Sequence, residues 1–197
     1  KAILIQGDIR NKEEVLQMSK ELSDQKITIN TIVHNAINDY KFNGEQRKKI
    51  DEIDWQDFQN QIETSQKGFL NLLKIFTPSM KKKHFGRFIT IGTNLFQNPV
   101  VPYHDYTAAK GGLLSITRTA AIDLGKFNIT VNMISGGLLK TTDASKDTPQ
   151  EVFDYIKSIT PLRKVTTTDD FADSVLFFAS PWSRAVTGQN MIVDGGL

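Results

Sequence analysis

Apolar and polar positions fall into blocks along this chain, and the blocks change period. "KAILIQGD" opens with a short apolar run closed by Gly7-Asp8, the pattern of a buried strand. "NKEEVLQMSKELSDQ" then spaces Val15, Met18 and Leu22 for one face of a helix, with Asn11 placed as its N-cap. "ITINTIVHNA" reads as a second strand, rich in β-branched residues. Residues from Ile37 to Asp54 are polar and charged without clear period, which predicts a surface loop. A long helix is expected from Trp55 to Lys83, bent or interrupted at Pro78. "GRFITIG" is a third strand, "YTAAKGGLLSITRTAAIDLG" a helix with small residues, and "NITVNMI" a fourth strand. After a loop through "SGGLLKTTDASKD", a short helix is expected at "TPQEV". Thr148 would be its N-cap, Pro149 its N1 residue and Glu151 the partner in a capping box. "TTDDFADSVLFFAS" is a last helix and "NMIVDGG" a last strand.

Strands that alternate with helices imply an α/β domain with a mainly parallel sheet. Ligands of such sheets bind beyond the carboxyl ends of the strands. Asp8, His34-Asn35, Gly92-Thr93 and Ser135-Gly136-Gly137 all fall at such ends, so one rim is expected to collect the polar and Gly-rich residues.

Composition narrows the function classes. The 197 residues suit a single domain. A formal net charge of +2 argues neither for nor against a polyanionic partner. The dense basic run Lys81-Lys82-Lys83-His84 through Arg87 is expected to be the solvated end of a helix before a turn at Gly86, where cations suit the helix dipole, rather than a nucleic-acid site. With no cysteine there is neither disulfide nor thiolate metal site, which fits a reducing cytoplasm. His34, His84 and His104 have no metal-ligand spacing. No apolar run approaches the roughly 20 residues needed to span a bilayer, and no signal peptide opens the sequence. No nucleic-acid or membrane partner is therefore expected.

Tyr106 and Lys110 lie four apart in "YTAAK" and share one face of a helix. An ammonium about 4 Å from a phenol stabilises the phenolate by about 4 kcal/mol at an effective dielectric near 20. That is enough to bring a phenol towards neutral pH, where it can give and take a proton. Thr93 adds a hydroxyl at the preceding strand end, able to hold a substrate oxygen. Surface decoration is the bland alternative for each residue alone.

These residues resemble a family. "GRFITIGT" followed by "YTAAKGGL" is similar to the strand-end hydroxyl and Tyr-x-x-x-Lys motif of classical short-chain dehydrogenases/reductases, near their 3-oxoacyl-acyl-carrier-protein reductase branch. "VHNAI" is similar to that family's Asn-Asn-Ala-Gly turn, "VNMISGGLLKT" to its Val-Asn-x-Ile-x-Pro-Gly-x-x-x-Thr segment, and "TGQNMIVDGG" to its closing strand. The resemblance implies a Rossmann-like doubly wound α/β fold and an NAD(P)(H)-dependent oxidoreductase that interconverts a carbonyl and a secondary alcohol. It implies Tyr106 as general acid/base, Lys110 lowering its pKa and holding the nicotinamide ribose, and Thr93 orienting the substrate oxygen. Asp8 would bond the adenine with Ile9 beside it, Asn35 and Ala36 would lie along the adenosine ribose, and Gly137, Leu139 and Thr141 would meet the nicotinamide and phosphates. NADP(H) or NAD(H) is the implied cofactor, and a small-molecule or acyl-thioester the implied substrate. The expected assembly is a homotetramer or homodimer, and the expected location the cytoplasm.

Departures from the pattern qualify that reading. Thr93 stands where serine is usual, and Ser65 where an asparagine supports a proton-relay water. Ile37 replaces a glycine, so a positive φ there would be strained. Gly136 replaces a proline and is expected to loosen the following loop. These changes leave open a weak or inactive paralogue serving as a nucleotide-binding or scaffold protein. The family's Gly-rich strand-turn-helix and its second strand are not in the sequence, which resembles the family from its third strand onward. A fragment of a longer protein is the expectation, with Ile3–Ile5 separated from Ile32–His34 by two strand widths, about 14 Å. Direct pairing of the two at about 5 Å is the alternative.

Overall fold

The β-branched and aromatic runs expected as strands assemble into one parallel sheet, β1 (Thr31–His34), β2 (Gly86–Thr93), β3 (Ile129–Gly136) and β4 (Asn190–Val193), side by side in sequence order. This architecture comes from a computed structural model, which describes residues 2–38 and 40–197. Alternation along β2 and β3 sends side chains to both faces. Phe88, Val131 and Met133 join one core with Val15 of α1 (Lys12–Asp24), Phe69, Leu72 and Phe76 of α3 (Gly68–Lys83), and Leu113 of α4 (His104–Gly125). Ile89 and Ile134 point the other way, onto Phe171 and Phe178 of α6 (Thr168–Ala179). The sheet is therefore wound on both sides, as expected. α2 (Trp55–Ile62) and α5 (Gln150–Ile159) complete the helices.

Local signals worked where a side chain could finish a helix end. Asn11 caps α1 by accepting from the Glu13 and Glu14 amides. Thr167 and Asp170 form a capping box at α6 that the sequence reading missed. The capping box expected around Thr148 does not form. Pro149 is the N-cap of α5, and the Thr148 hydroxyl is buried without a partner. The helix starts one residue late, because Pro149 keeps an extended ψ of 147° and so stays outside the first turn.

The opening run is the main correction. Residues 2–8 form no strand, and Leu4 is 96% exposed. A strand exists only with a neighbour to bond, and β1 pairs with β2 alone among the described residues. Direct pairing between this run and β1 is therefore absent.

The long helix is interrupted, but not at Pro78, which lies inside α3. The break is a π-turn, Glu63–Lys67, in which the Gly68 amide reaches back to the Glu63 carbonyl. It buries Thr64 and Ser65. The basic run is also only half as expected. Lys81–Lys83 form the last turn of α3, whereas Arg87 is buried, donating to the Gly86 and Asn128 carbonyls and stacked over Phe85 at 4.5 Å.

Candidate active site

The parallel register sets Thr93 at the end of β2 opposite Gly136 at the end of β3, and His34 ends β1 on the same side. The loop Asn94–Tyr103 then returns the chain so that α4 begins at His104 and brings Tyr106 and Lys110 to this rim. Thr93, Tyr106 and Lys110 are all buried. The Thr93 oxygen accepts from the Leu95 amide at 3.3 Å, and its hydroxyl is turned to the Tyr106 phenol.

The electrostatics differ from the expected phenol–ammonium pairing. Lys110 Nζ lies 5.8 Å from the Tyr106 ring centroid and donates to the Ile91 carbonyl at 2.7 Å. Burial pushes the Tyr106 phenol up to about 12, with the nearby Thr93 hydroxyl working in the opposite direction. Burial also pushes Lys110 down to about 8. Desolvation dominates at the phenol, and Lys110 turns an N–H to the Ile91 carbonyl. The phenol is consequently a proton donor at neutral pH, and the ammonium keeps two further N–H groups for a ligand.

Ser65 lies in the π-turn, and its carbonyl meets His34 Nε2 at 2.9 Å. His34 is buried against Phe69, ring centroids 5.5 Å apart, and its Nδ1 has no partner. Burial pushes the imidazole down to about 4, and the Lys110 charge adds to this. His34 is thus a neutral donor that fixes the π-turn, a link invisible in the sequence because it joins residues 31 apart. Gln66 continues the link by donating to the Ala109 carbonyl beside Lys110 at 3.2 Å.

Asp8, Ile9 and Ala36 come together around a cleft of about 430 Å³ that Arg10, Ile37 and Thr64 also line. Asn71 of α3 holds this segment by donating to the Ile9 and Arg10 carbonyls at 2.9 and 3.2 Å. Arg10 grips the Asp8 carboxylate at 2.7–3.0 Å and holds it below the usual carboxylate range. The carboxylate is ionised and retains lone pairs for a further donor. Asn35 is exposed at the same strand end. Ile37 is outside the left-handed region, so the strain its glycine replacement threatened does not arise.

Gly137 sits against the last strand. A Cβ there would come within 3.1 Å of Asp194 Cβ and 3.2 Å of Asn94 Nδ2, so no larger residue fits without a shift. Asn94 donates to Asp194 at 3.0 Å, closing the rim between β2 and β4. Leu139 packs on the α6 side of the sheet, and its carbonyl accepts from Ser145 at 2.8 Å. Thr141 is exposed. Gly136, expected to loosen the following loop, lies at the end of the strand before it. It is the buried last residue of β3, close against Phe171, where a Cβ would approach the ring to 3.0 Å.

Three aromatic residues that sequence reasoning passed over cover Tyr106. Tyr40 stacks on it at 5.0 Å, Phe42 meets it edge-on at 5.4 Å, and Tyr103 packs against both. The one signal was the presence of rings in an otherwise polar loop. No helix is long and apolar enough to cross a membrane, and no group of metal-ligating side chains occurs among the described residues.

Comparison with known proteins fits this geometry. A family profile described as enoyl-(acyl carrier protein) reductase matches residues 1–197. The chain is 30% identical over 193 residues to the 3-oxoacyl-acyl-carrier-protein reductase FabG of Staphylococcus epidermidis, covering 98% of this chain and 76% of that protein. The FabG of Staphylococcus aureus is 30% identical over 199 residues with the same coverage. A crystal structure of the 3-oxoacyl-acyl-carrier-protein reductase of Brucella melitensis superposes with a TM-score of 0.87 at 25% identity, covering 100% of this chain and 72% of the other. A second, with bound NAD, gives 0.84 at 25% identity, covering 100% and 71%. With the profile spanning every residue and the sheet, its winding and its rim in agreement, the chain belongs to the short-chain dehydrogenase/reductase family of NAD(P)-dependent oxidoreductases.

Proposed function

We propose that this chain carries the catalytic rim of a reductase acting on a 3-oxoacyl thioester, with Tyr106 as the proton donor. The observation that carries the reading is the burial of Tyr106, kept protonated beside the hydroxyl of Thr93 and the spare N–H groups of Lys110. A protonated phenol suits the reductive direction, in which the substrate oxygen must gain a proton. When bound, NADPH or NADH supplies the hydride.

The residues present fit the two ends of such a dinucleotide. The ionised Asp8 would accept from the adenine amino group in the cleft that Ile9 and Ala36 also line, and Asn35 would serve the ribose. The N–H groups of Lys110 not used by the Ile91 carbonyl would hold the nicotinamide ribose, and Gly137, Leu139 and Thr141 would meet the ring and phosphates. The Gly-rich cradle for the pyrophosphate is not among these residues. Thr93 donates to the substrate carbonyl oxygen and orients it, and Tyr106 then delivers its proton to that oxygen. Ser65 shapes the ground beneath Lys110 through the carbonyl held by His34.

The test is the loss of reduced-nicotinamide absorbance with a 3-oxoacyl thioester. Tyr106→Phe is expected to lower turnover by at least about a hundredfold, the lower end for general acid–base catalysis. Near-normal turnover in that variant, or none in the parent protein with either cofactor, overturns the reading.

A further inference from the structure

Tyr106 is roofed by its own chain. Tyr40 lies on it with ring planes 19° apart, and Phe42 stands across it at 87°. The same two rings touch each other at 5.6 Å and reach Tyr103 at 5.7 and 5.3 Å. The strap from Tyr40 to Arg47 is tied down along its length. The Gly44 amide donates to Tyr103 Oη at 2.8 Å, and Arg47 Nε donates to the Pro102 carbonyl at 3.2 Å. Tyr40 Oη reaches Asp105 at 3.5 Å, which is too long to hold firmly. On the far side the Phe42 amide donates to the Ala144 carbonyl at 3.2 Å, joining the strap to the loop that follows Gly137. A cleft of about 270 Å³ lies against the strap, lined by Tyr40, Lys41, Arg47 and Tyr103, yet neither Tyr106 nor Thr93 lines it.

We propose that Tyr40 and Phe42 are a gate over the active site, occupying the space a substrate needs beside the Tyr106 hydroxyl, and that a substrate reaches Tyr106 only when the strap releases. The proposal rests on Tyr106 as the reacting group. Three features suit a strap that opens. It carries no strand or α-helix, only a single 3₁₀ turn at Gly44–Gln46. Each of its ties is a single hydrogen bond, two to backbone carbonyls and two to side chains. Gly44 adopts φ +54° with nothing near its missing Cβ, so glycine is there for backbone conformation alone.

Access to the phenol is measured by O-acetylation with N-acetylimidazole, followed by peptide mass spectrometry, with the 62%-exposed Tyr155 as internal reference. In the wild-type protein Tyr106 should react far more slowly than Tyr155. Phe42→Ala, which removes the edge-on ring, should raise the Tyr106 rate at least about tenfold relative to Tyr155. Gly44→Ala keeps every ring and strains only the strap's left-handed residue, and should raise it by about tenfold as well. Wild-type Tyr106 reacting as fast as Tyr155, or unchanged slow reaction in both variants, overturns the gate. Acetylation requires no turnover, so failure of the gate and failure of the reductase reading appear in different assays.

Discussion

Lys110 holds two jobs that pull its charge in opposite directions. It must stay an ammonium to bond a ribose and steady a phenolate, yet burial favours its neutral form and sets it near 8. Protonated Lys110 is therefore lost as pH rises through that value. If the ammonium is required, kcat/KM should fall above about pH 8, and Lys110→Arg, which stays charged, should move that alkaline limb upward while weakening binding through its different shape. A pH profile of kcat/KM for both proteins checks this, and an identical limb in the two would assign it elsewhere. Spacing in the sequence placed Tyr106 and Lys110 on one helix face. It could not show that the phenol is desolvated by Tyr40 and Phe42, or that Lys110 turns to the Ile91 carbonyl, because those neighbours arrive from other elements.

The π-turn at Glu63–Lys67 and the end of β1 behave as one unit. His34 is neutral in the fold with its pKa near 4, against an ordinary value of 6.5. Above 6.5 both folded and unfolded chains carry neutral imidazole. As pH falls from 6.5 towards 4 only the unfolded chain gains the proton, so stability drops in that window by roughly 3 kcal/mol and then levels. His34→Asn keeps an N–H for the Ser65 carbonyl and removes the titration. Urea unfolding at several pH values should show a shallower acid loss in the variant than in the parent. Equal slopes would show that carboxylates alone drive the loss. Helix identity was legible here and the π-turn was not, since apolar spacing through Trp55–Lys83 looks the same with or without one wide turn. The cap at Thr148 failed and the one at Thr167 succeeded for a similar reason. Both sequences offer a hydroxyl before a helix, and only the packed backbone decides where the first turn begins.

At the scale of the molecule, α4 leaves one stripe bare. Ile122 is 81% exposed, and a Cβ at Gly111 or Gly125 would meet nothing within 4 Å. Leu70 of α3 and Trp55 of α2 are exposed as well. We propose that these helices pair with a second copy, giving a dimer or a dihedral tetramer. Ile122→Lys should then lower the mass measured by light scattering, and a wild-type protein already monomeric would contradict the pairing. The sequence by itself determined the class of the fold, the strands β1 to β4, the rim and the ordered motif from Thr93 to Lys110, because hydrophobic period and residue spacing are local properties. It misjudged the opening run, since an apolar stretch becomes a strand only beside a partner and residues 2–8 have none among the described residues. The clamp of Arg10 on Asp8, the His34 link and the aromatic roof over Tyr106 were decided by the tertiary structure. Each depends on which side chains the fold brings together and how much water it leaves between them, and no spacing along the chain encodes that.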